Sequence, residues 1–376
     1  MRRWPWTVPW ALTAVFLAAP AARAAGAAIT SAPAYYSITK TVTLTNTGDD
    51  TAYHVDAKVT LLPPSLPYAT VQLTGESVVP EAVFRDAYGN TVGRFVWPRL
   101  GPGHSVTLTL TYTAEVWAVQ YRLAGAGSTY DTMRARFRTY TNPHLEASAV
   151  DTDAPALVAL DRSLTPADAT PLAKARAYFD WIVRHIRYNY RLVPAGSALA
   201  VLKSRLGICT DFAELFVGML RTARIPARLV DGYVVNNGAG EGGFHQWVEF
   251  DLPHTGWVAA DPTWGAAGYF AALPDDWHIP LYVGIRPDVN VSWQYVPGTT
   301  PYIHIQYHYA FKTLAAAPAP ARRAALPVLS PATSAAVRQH GRALAATPWW
   351  VAGRAWAAAL WHWIAGTLVT IFGRLA

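Results

Sequence analysis

Two different periods of hydrophobic residues divide this chain. From about Tyr35 to Leu123, apolar and polar positions tend to alternate. Ile38-Thr39-Lys40-Thr41-Val42-Thr43-Leu44-Thr45 is rich in β-branched residues and alternates in part. Asn46 to Asp50 is a turn cluster, and His54 to Leu61 alternates again. Ser105 to Tyr112 has near-perfect period two. Strand side chains point to opposite faces in turn, so these segments predict half-buried strands. Short strands between turn signals predict a β-sandwich, read as an Ig-like accessory domain over 30–145.

From about Thr165 the period lengthens. Ala167 to Ile186 predicts a helix, with Leu172, Ala175, Tyr178, Phe179 and Ile182 on one face. A second helix is expected to begin near Cys209, where Phe212, Leu215, Phe216, Met219 and Leu220 recur at helical spacing. Strand-like pieces follow at Ala227 to Val235, His245 to Phe250, Gly256 to Asp261 and Tyr302 to Phe311. Helices first and strands after predict an α+β domain, placed at 150–312. Ala315 to Pro331 is rich in Ala and Pro and predicts a linker, within 313–348.

Both ends are apolar. Arg2 and Arg3, the stretch Val8 to Ala19 and the small-x-small site Ala22-Arg23-Ala24 predict an export signal over 1–24, with a retained anchor as the alternative. Ala355 to Phe372 is an uncharged stretch carrying Trp356, Trp361 and Trp363, flanked by Arg354 and Arg374. It predicts a membrane-associated apolar helix within 349–376, spanning or seated. The alternative is an amphipathic helix packed on the protein.

Composition narrows the class. Hydrophobic residues make up 52% and charged residues 15%, enough apolar material for a sizeable core and too little charge for a disordered chain. Formal net charge is +7, and Arg2, Arg3 and Arg23 account for three of those charges. No Lys/Arg run interleaved with aromatics occurs, so nucleic acid is not an expected partner. The single cysteine, Cys209, excludes an internal disulfide and leaves either an inert buried thiol or a reactive one.

The chemistry clusters around that cysteine. Gly207 permits a sharp turn, and Cys209 falls at the first turn of a helix. Free backbone N–H groups and the helix dipole favour a thiolate there. Alone, the position fits a small core residue equally well. His245 and Asp261 lie on two strands joined by a turn. A hairpin centred on Pro253 sets them directly opposite each other and on one face. A carboxylate could then orient the imidazole and leave its second nitrogen for a thiol, the logic of a nucleophile–base–acid triad.

Four blocks carry a family resemblance: Gly207-Ile208-Cys209-Thr210-Asp211-Phe212-Ala213, then Ile225 to Tyr233, then His245-Gln246-Trp247, then Asp261-Pro262-Thr263. In this order they resemble the bacterial transglutaminase-like superfamily, over roughly Ala167 to Trp264. The resemblance implies a papain-like core with Cys209 as nucleophile, His245 as base and Asp261 as orienting acid. Tyr233 and Arg228 match family positions near the site, or else are a strand aromatic and a structural ion pair. Trp247 either shields the His–Asp pair from water or fills the core. Tyr188, ahead of the Cys helix, is a candidate oxyanion donor.

His304 and His308 share one face of a predicted strand, but four residues at ~3.3 Å each separate them too far for one metal. No cofactor is implied, and no acidic loop suggests calcium. The expected activity is acyl transfer through a Cys-thioester on a protein or peptide substrate, which could belong to the cell wall. Peptidase, amidase and crosslinking outcomes share the steps up to the thioester. The alternative is a non-catalytic envelope binding protein that uses the same fold as a scaffold.

Overall fold

The computed structural model describes residues 27–317, apart from 30, 124–128, 193, 237–241 and 286–287. The expected signal peptide, most of the linker and the C-terminal apolar helix lie outside the described residues. Among the described residues, no helix is long and apolar enough to cross a membrane.

Among the described residues, the alternating half of the chain forms six strands of four residues or more: β1 (Ala34–Asn46), β2 (Ala52–Leu62), β3 (Ala69–Glu76), β4 (Ala82–Arg85), β5 (Thr91–Leu100) and β6 (Ser105–Val116). In β1 the even-numbered positions from Tyr36 to Asn46 are buried and the odd ones less so, as period two requires. A helical half follows. α1 (Pro171–His185) starts later than the periodicity alone predicts, because Pro171 takes the first helical position and the Thr170 side chain accepts from Ala173 N–H at 3.2 Å. α2 (Cys209–Thr222) is buried at Cys209 and from Asp211 through Arg221, so it is a central helix rather than a one-faced surface one.

Four strands cover α2: β7 (Ala227–Val234), β8 (Gly243–Leu252), β9 (Gly256–Ala260) and β10 (His278–Val283). They form one antiparallel sheet in the order β9-β8-β7-β10. Phe216 of α2 meets Phe250 of β8 edge to face, with ring centroids 6.0 Å apart. The residue pattern predicts no strand at β10, whose run is interrupted by Pro280. An edge position tolerates a proline that a central strand would not.

The chain then returns. β11 (Val289–Gln294) pairs with β2, and β12 (Ile303–Leu314) pairs with β1 along its whole length. The alternating half is therefore two four-stranded antiparallel sheets, β11-β2-β5-β4 and β12-β1-β6-β3. This corrects the linear reading that assigned everything from 150 to 312 to the α+β unit. A strand's own alternation does not say which sheet it will join. His304 and His308 pair with Thr45 and Thr41 in unbroken register.

Lys40 is a charged side chain at one of the inward positions of β1, at 1% exposure. Its ammonium donates to Asp288 Oδ1 at 2.7 Å and to the Thr60 carbonyl at 3.0 Å, reaching from one sheet to the other. Asp288 Oδ2 accepts from Tyr309 O–H at 2.7 Å, so the returning strands are tied to this same charge. Removing one partner of a buried pair leaves the other charge without compensation. Lys40→Met should therefore lower unfolding free energy by about 3–5 kcal/mol, read as a lower urea midpoint. Adding Asp288→Asn should recover part of the loss. An unchanged midpoint in the single variant would show that the pair does not hold the sheets together.

Candidate active site

The site forms where the first turn of α2 meets β8 and the end of β9. Asp211, three residues into the helix, accepts from Ile208 N–H at 2.8 Å and from Ala195 N–H at 2.7 Å. Burial raises its carboxyl pKa, and these two donors offset only part of that rise. They fix the turn that delivers Cys209. A Cβ on Gly207 would lie 2.6 Å from the Asp211 Cβ, so only glycine lets that side chain fold back so closely. Cys209 ends up buried, at 7% exposure.

His245 and Asp261 are joined: His245 Nε2 lies 2.7 Å from Asp261 Oδ2. The register is not the expected one. The ladder pairs Val248 with Ala260 and Leu252 with Gly256, so its continuation sets Asp261 across from Trp247 rather than His245. The turn closes between Leu252 and Thr255, with His254 and Gly256 in left-handed conformations, and is not centred on Pro253. A shift of two residues keeps the same face, so the imidazole still reaches the carboxylate on the diagonal. Asp261 also ends the strand, and its other oxygen accepts from Thr263 N–H at 2.8 Å. The turn-starting and His-orienting readings of Asp261 thus use different oxygens.

Burial by itself would lower the His245 pKa. The Asp261 charge and hydrogen bond, followed by a hydrogen bond to Cys209 and the thiolate charge, raise it to about 10. Asp261 is fully buried, which alone would raise its pKa, but the His245 charge and hydrogen bond hold it well below the usual carboxylate range. With Nε2 engaged by Asp261, Nδ1 is the nitrogen available to the thiol.

Aromatic rings enclose this pair. Trp264 stacks on His245 with centroids 4.8 Å apart and planes at 14°. Trp247 is fully buried, 6.3 Å from the His245 ring, and its indole N–H donates to the Tyr68 hydroxyl oxygen at 2.8 Å. It both covers the imidazole and joins the site to the two-sheet half. A Cβ on Gly232 would meet the Trp247 ring at 2.3 Å, so glycine there makes room for the indole.

Two residues named from sequence stand elsewhere. Arg228 forms a buried ion pair with Glu249 at 2.6 Å and lies 4.1 Å from the Trp257 ring centroid. Tyr233 pairs with Phe244, on the opposite face of the strand pair from Gly232 and His245, and stacks on Phe311 of β12 at 3.7 Å. Tyr188 is half exposed beside Phe212. Its pKa is pushed up to about 12 by burial of its hydroxyl and then by the charges of Cys209 and Asp261.

Trp264 and His278 were missed from sequence. Trp264 lies only three residues beyond Asp261, but nothing local shows that it turns back over His245. His278 Nε2 lies 3.4 Å from Asp261 Oδ2 and its Nδ1 lies 2.8 Å from Asp275 Oδ1. The Asp275/His278 spacing was visible; its nearness to Asp261 depends on β10 joining the sheet. Among the described residues, ligand-type atoms of His245, Asp261 and His278 come within 4.8 Å of one another, but these atoms already face one another and Asp275 rather than an open position. A cation there would have to displace the proton shared across the 2.7 Å His–Asp contact.

Residues 158–262 match the model of the transglutaminase-like superfamily, and this segment is a domain of that superfamily. The protein-glutamine gamma-glutamyltransferase of Pseudomonas aeruginosa is 31% identical over 122 residues, covering 29% of this chain and 18% of that protein. Uncharacterized protein YebA of Bacillus subtilis is 35% identical over 82 residues, covering 17% of this chain and 10% of that protein. The chain thus spans less than a fifth of the length of the curated relatives it matches. A solved structure from Cytophaga hutchinsonii, provisionally classed as a cysteine protease, shares the fold with a TM-score of 0.54 at 16% identity, over 78% of this chain and 95% of that one.

Glu214 gives the site a pH signature. It lies five residues beyond Cys209 on α2, buried, with Oε2 lacking a hydrogen-bond partner among the described residues. Burial first, then the charges of Asp211, Asp231, Glu146 and Asp151, raise its pKa to about 9. A free Glu releases its proton near ~4.3. Between those values the unfolded chain binds fewer protons than the folded one, so this group makes stability fall as pH rises. The slope is at most about 1.4 kcal/mol per pH unit. Glu214→Gln, which mimics the neutral acid, should flatten stability between pH 5 and 8 in urea titrations. An unchanged slope would mean that Glu214 is ionised in the fold.

Proposed function

We propose that this chain is an exported cysteine enzyme that acts on peptide or amide bonds through a thioester on Cys209. The observation that carries the reading is the buried Asp261–His245 hydrogen bond beside the one cysteine of the chain, at a helix N-terminus. The Cys209 thiolate attacks the carbonyl carbon, and the C–S bond forms as the carbonyl π-electrons move onto oxygen. The Cys209 backbone N–H and the Tyr188 hydroxyl are suited to receive that oxyanion. Collapse re-forms the carbonyl and breaks the C–N bond, and the departing nitrogen takes the proton from His245 Nδ1. Water or an amine then attacks the thioester, gives its proton to His245, and releases Cys209 as thiolate. Asp261 stays ionised and holds the imidazole in the tautomer and orientation both steps need.

The relative from Pseudomonas aeruginosa, by its name, transfers a glutamine acyl group, and the Cytophaga hutchinsonii protein is classed with proteases. Either outcome follows from the same thioester; the acceptor depends on water access to the groove. The two-sheet half, read as an Ig-like accessory module, would present the site to a protein or peptide substrate, including one in the cell wall. A non-catalytic scaffold is the competing reading. The retained thiol, imidazole and carboxylate argue against it, since a scaffold needs none of them in contact.

With a casein or peptide-amide substrate, acid quenching should trap a mass adduct on Cys209 that is absent in Cys209→Ala. Asp261→Asn should keep the fold and cut turnover by roughly 10³–10⁴. Equal turnover in variant and parent would remove Asp261 from the mechanism.

The apolar ends set the location we infer. The 1–24 segment directs export, and the Trp-rich run at 355–372 holds the chain at the membrane. The full chain should need detergent for extraction, whereas a version ending at Ala346 should be soluble outside the cytoplasm. Solubility of both without detergent would sink the anchor.

A further inference from the structure

His278 sits on edge strand β10, fully buried, with both ring nitrogens facing carboxylate oxygens. Nδ1 faces Asp275 Oδ1 at 2.8 Å and Nε2 faces Asp261 Oδ2 at 3.4 Å. A neutral imidazole carries one N–H and one lone pair, so either tautomer would aim a lone pair at a carboxylate. Protonation of Asp275 could relieve that clash, but its oxygens already accept from Tyr269 O–H at 2.5 Å and Trp277 N–H at 2.9 Å, a donor set that suits the anion. The titratable groups packed around His278 are Asp261, Asp275, His245 and Tyr269. Trp247 and Trp264 close the remaining sides, with ring centroids 5.0 and 5.2 Å away. Burial would lower the His278 pKa, and the hydrogen bonds and charges of Asp261 and Asp275 raise it.

We propose that His278 is held as an imidazolium between Asp275 and Asp261 and is a positioning residue of the triad. The inference rests on the proposed roles of Cys209, His245 and Asp261. At 3.4 Å the contact with Asp261 is long for a hydrogen bond, so His278 acts on that carboxylate chiefly through charge. Both imidazoles address the same oxygen, Asp261 Oδ2. The His278 charge offsets part of the negative charge that His245 feels. His245 is then oriented by Asp261 without being locked in its protonated form, and it can give its proton to the leaving nitrogen. Asp275, clamped by Tyr269, keeps His278 in place.

Ring ¹⁵N spectra of histidine-labelled full-length protein test this without a substrate. At pH 8 a free imidazole is mostly neutral. His278 should instead show two protonated nitrogens. In a Cys209→Ala background, His278→Gln should raise the titration midpoint of His245 by about one pH unit, because a nearby cation has been removed. One bare nitrogen on His278 at pH 8, or an unmoved His245 midpoint, would overturn the proposal. A residue that only filled space would lower stability and leave that midpoint in place. Should His278→Gln fail to fold, Asp275→Asn reads the same quantity, since it removes one of the two carboxylates that hold the charge. Alkylation of Cys209 by iodoacetamide at pH 7 separates this idea from the triad itself. If His245→Ala leaves that rate unchanged, the triad reading fails. If His245→Ala slows alkylation at least tenfold while His278→Gln leaves the His245 midpoint in place, only the His278 proposal fails.

Discussion

A carboxylate with no exposed surface constrains everything around it. Asp261 is fully buried, and an isolated charge in that position would cost several kcal/mol. Its compensation comes from three directions: Thr263 N–H on one oxygen, His245 and His278 on the other. Each donor imposes a piece of architecture. The first requires the chain to turn immediately after β9. The second requires β8 to lie beside β9 with His245 on the shared face. The third requires β10 to close the far edge of the sheet. The irregular register between β7 and β10 at Asp231/Gly232 falls in the stretch that carries His278 toward the site.

The same site is bolted to the two-sheet half. Trp247 reaches across to Tyr68, and the Asn90 side chain exchanges two 2.8 Å hydrogen bonds with the Val283 backbone at the end of β10. β11 and β12 then complete the outer edges of both sheets. The helical unit is thus an excursion between β6 and β11, with both its ends fixed in the sheets. That closure restrains the wall opposite α2, where the imidazole stands. It also explains why an inward lysine is tolerated in β1: its partner, Asp288, lies at the start of β11, so the buried charge pair forms only when the chain returns.

Around α2, electrostatics is arranged asymmetrically. On one side Asp261 is held ionised by imidazoles. On the other, Glu214 is raised to about 9 by burial and neighbouring carboxylates, and Asp231 is raised to about 7 by burial even though it accepts from the Gln246 amide. Carboxyls at similar depth therefore differ in charge because of the donors they meet. Burial alone does not decide it.

The amino-acid sequence determined what depends on near neighbours. The alternation of Ser105 to Tyr112 made a strand, and the helical spacing after Cys209 made a helix, because side-chain direction follows backbone period. Gly207 with Asp211 set the turn that starts that helix, and the blocks around Cys209, His245 and Asp261 marked the family. Tertiary structure decided the rest. It moved the hairpin register by two residues, because the turn closed around the left-handed residue His254 rather than around Pro253. It sent β12 to the two-sheet half, because a strand's pattern specifies a buried face and not a partner. It set Arg228 against Glu249 and Tyr233 against Phe311, partners that the motif block they belong to does not name. Above all it brought His278 to Asp261. An ionisable side chain acquires its role from the charges that surround it, and those charges come from segments that meet only when the sheet has formed.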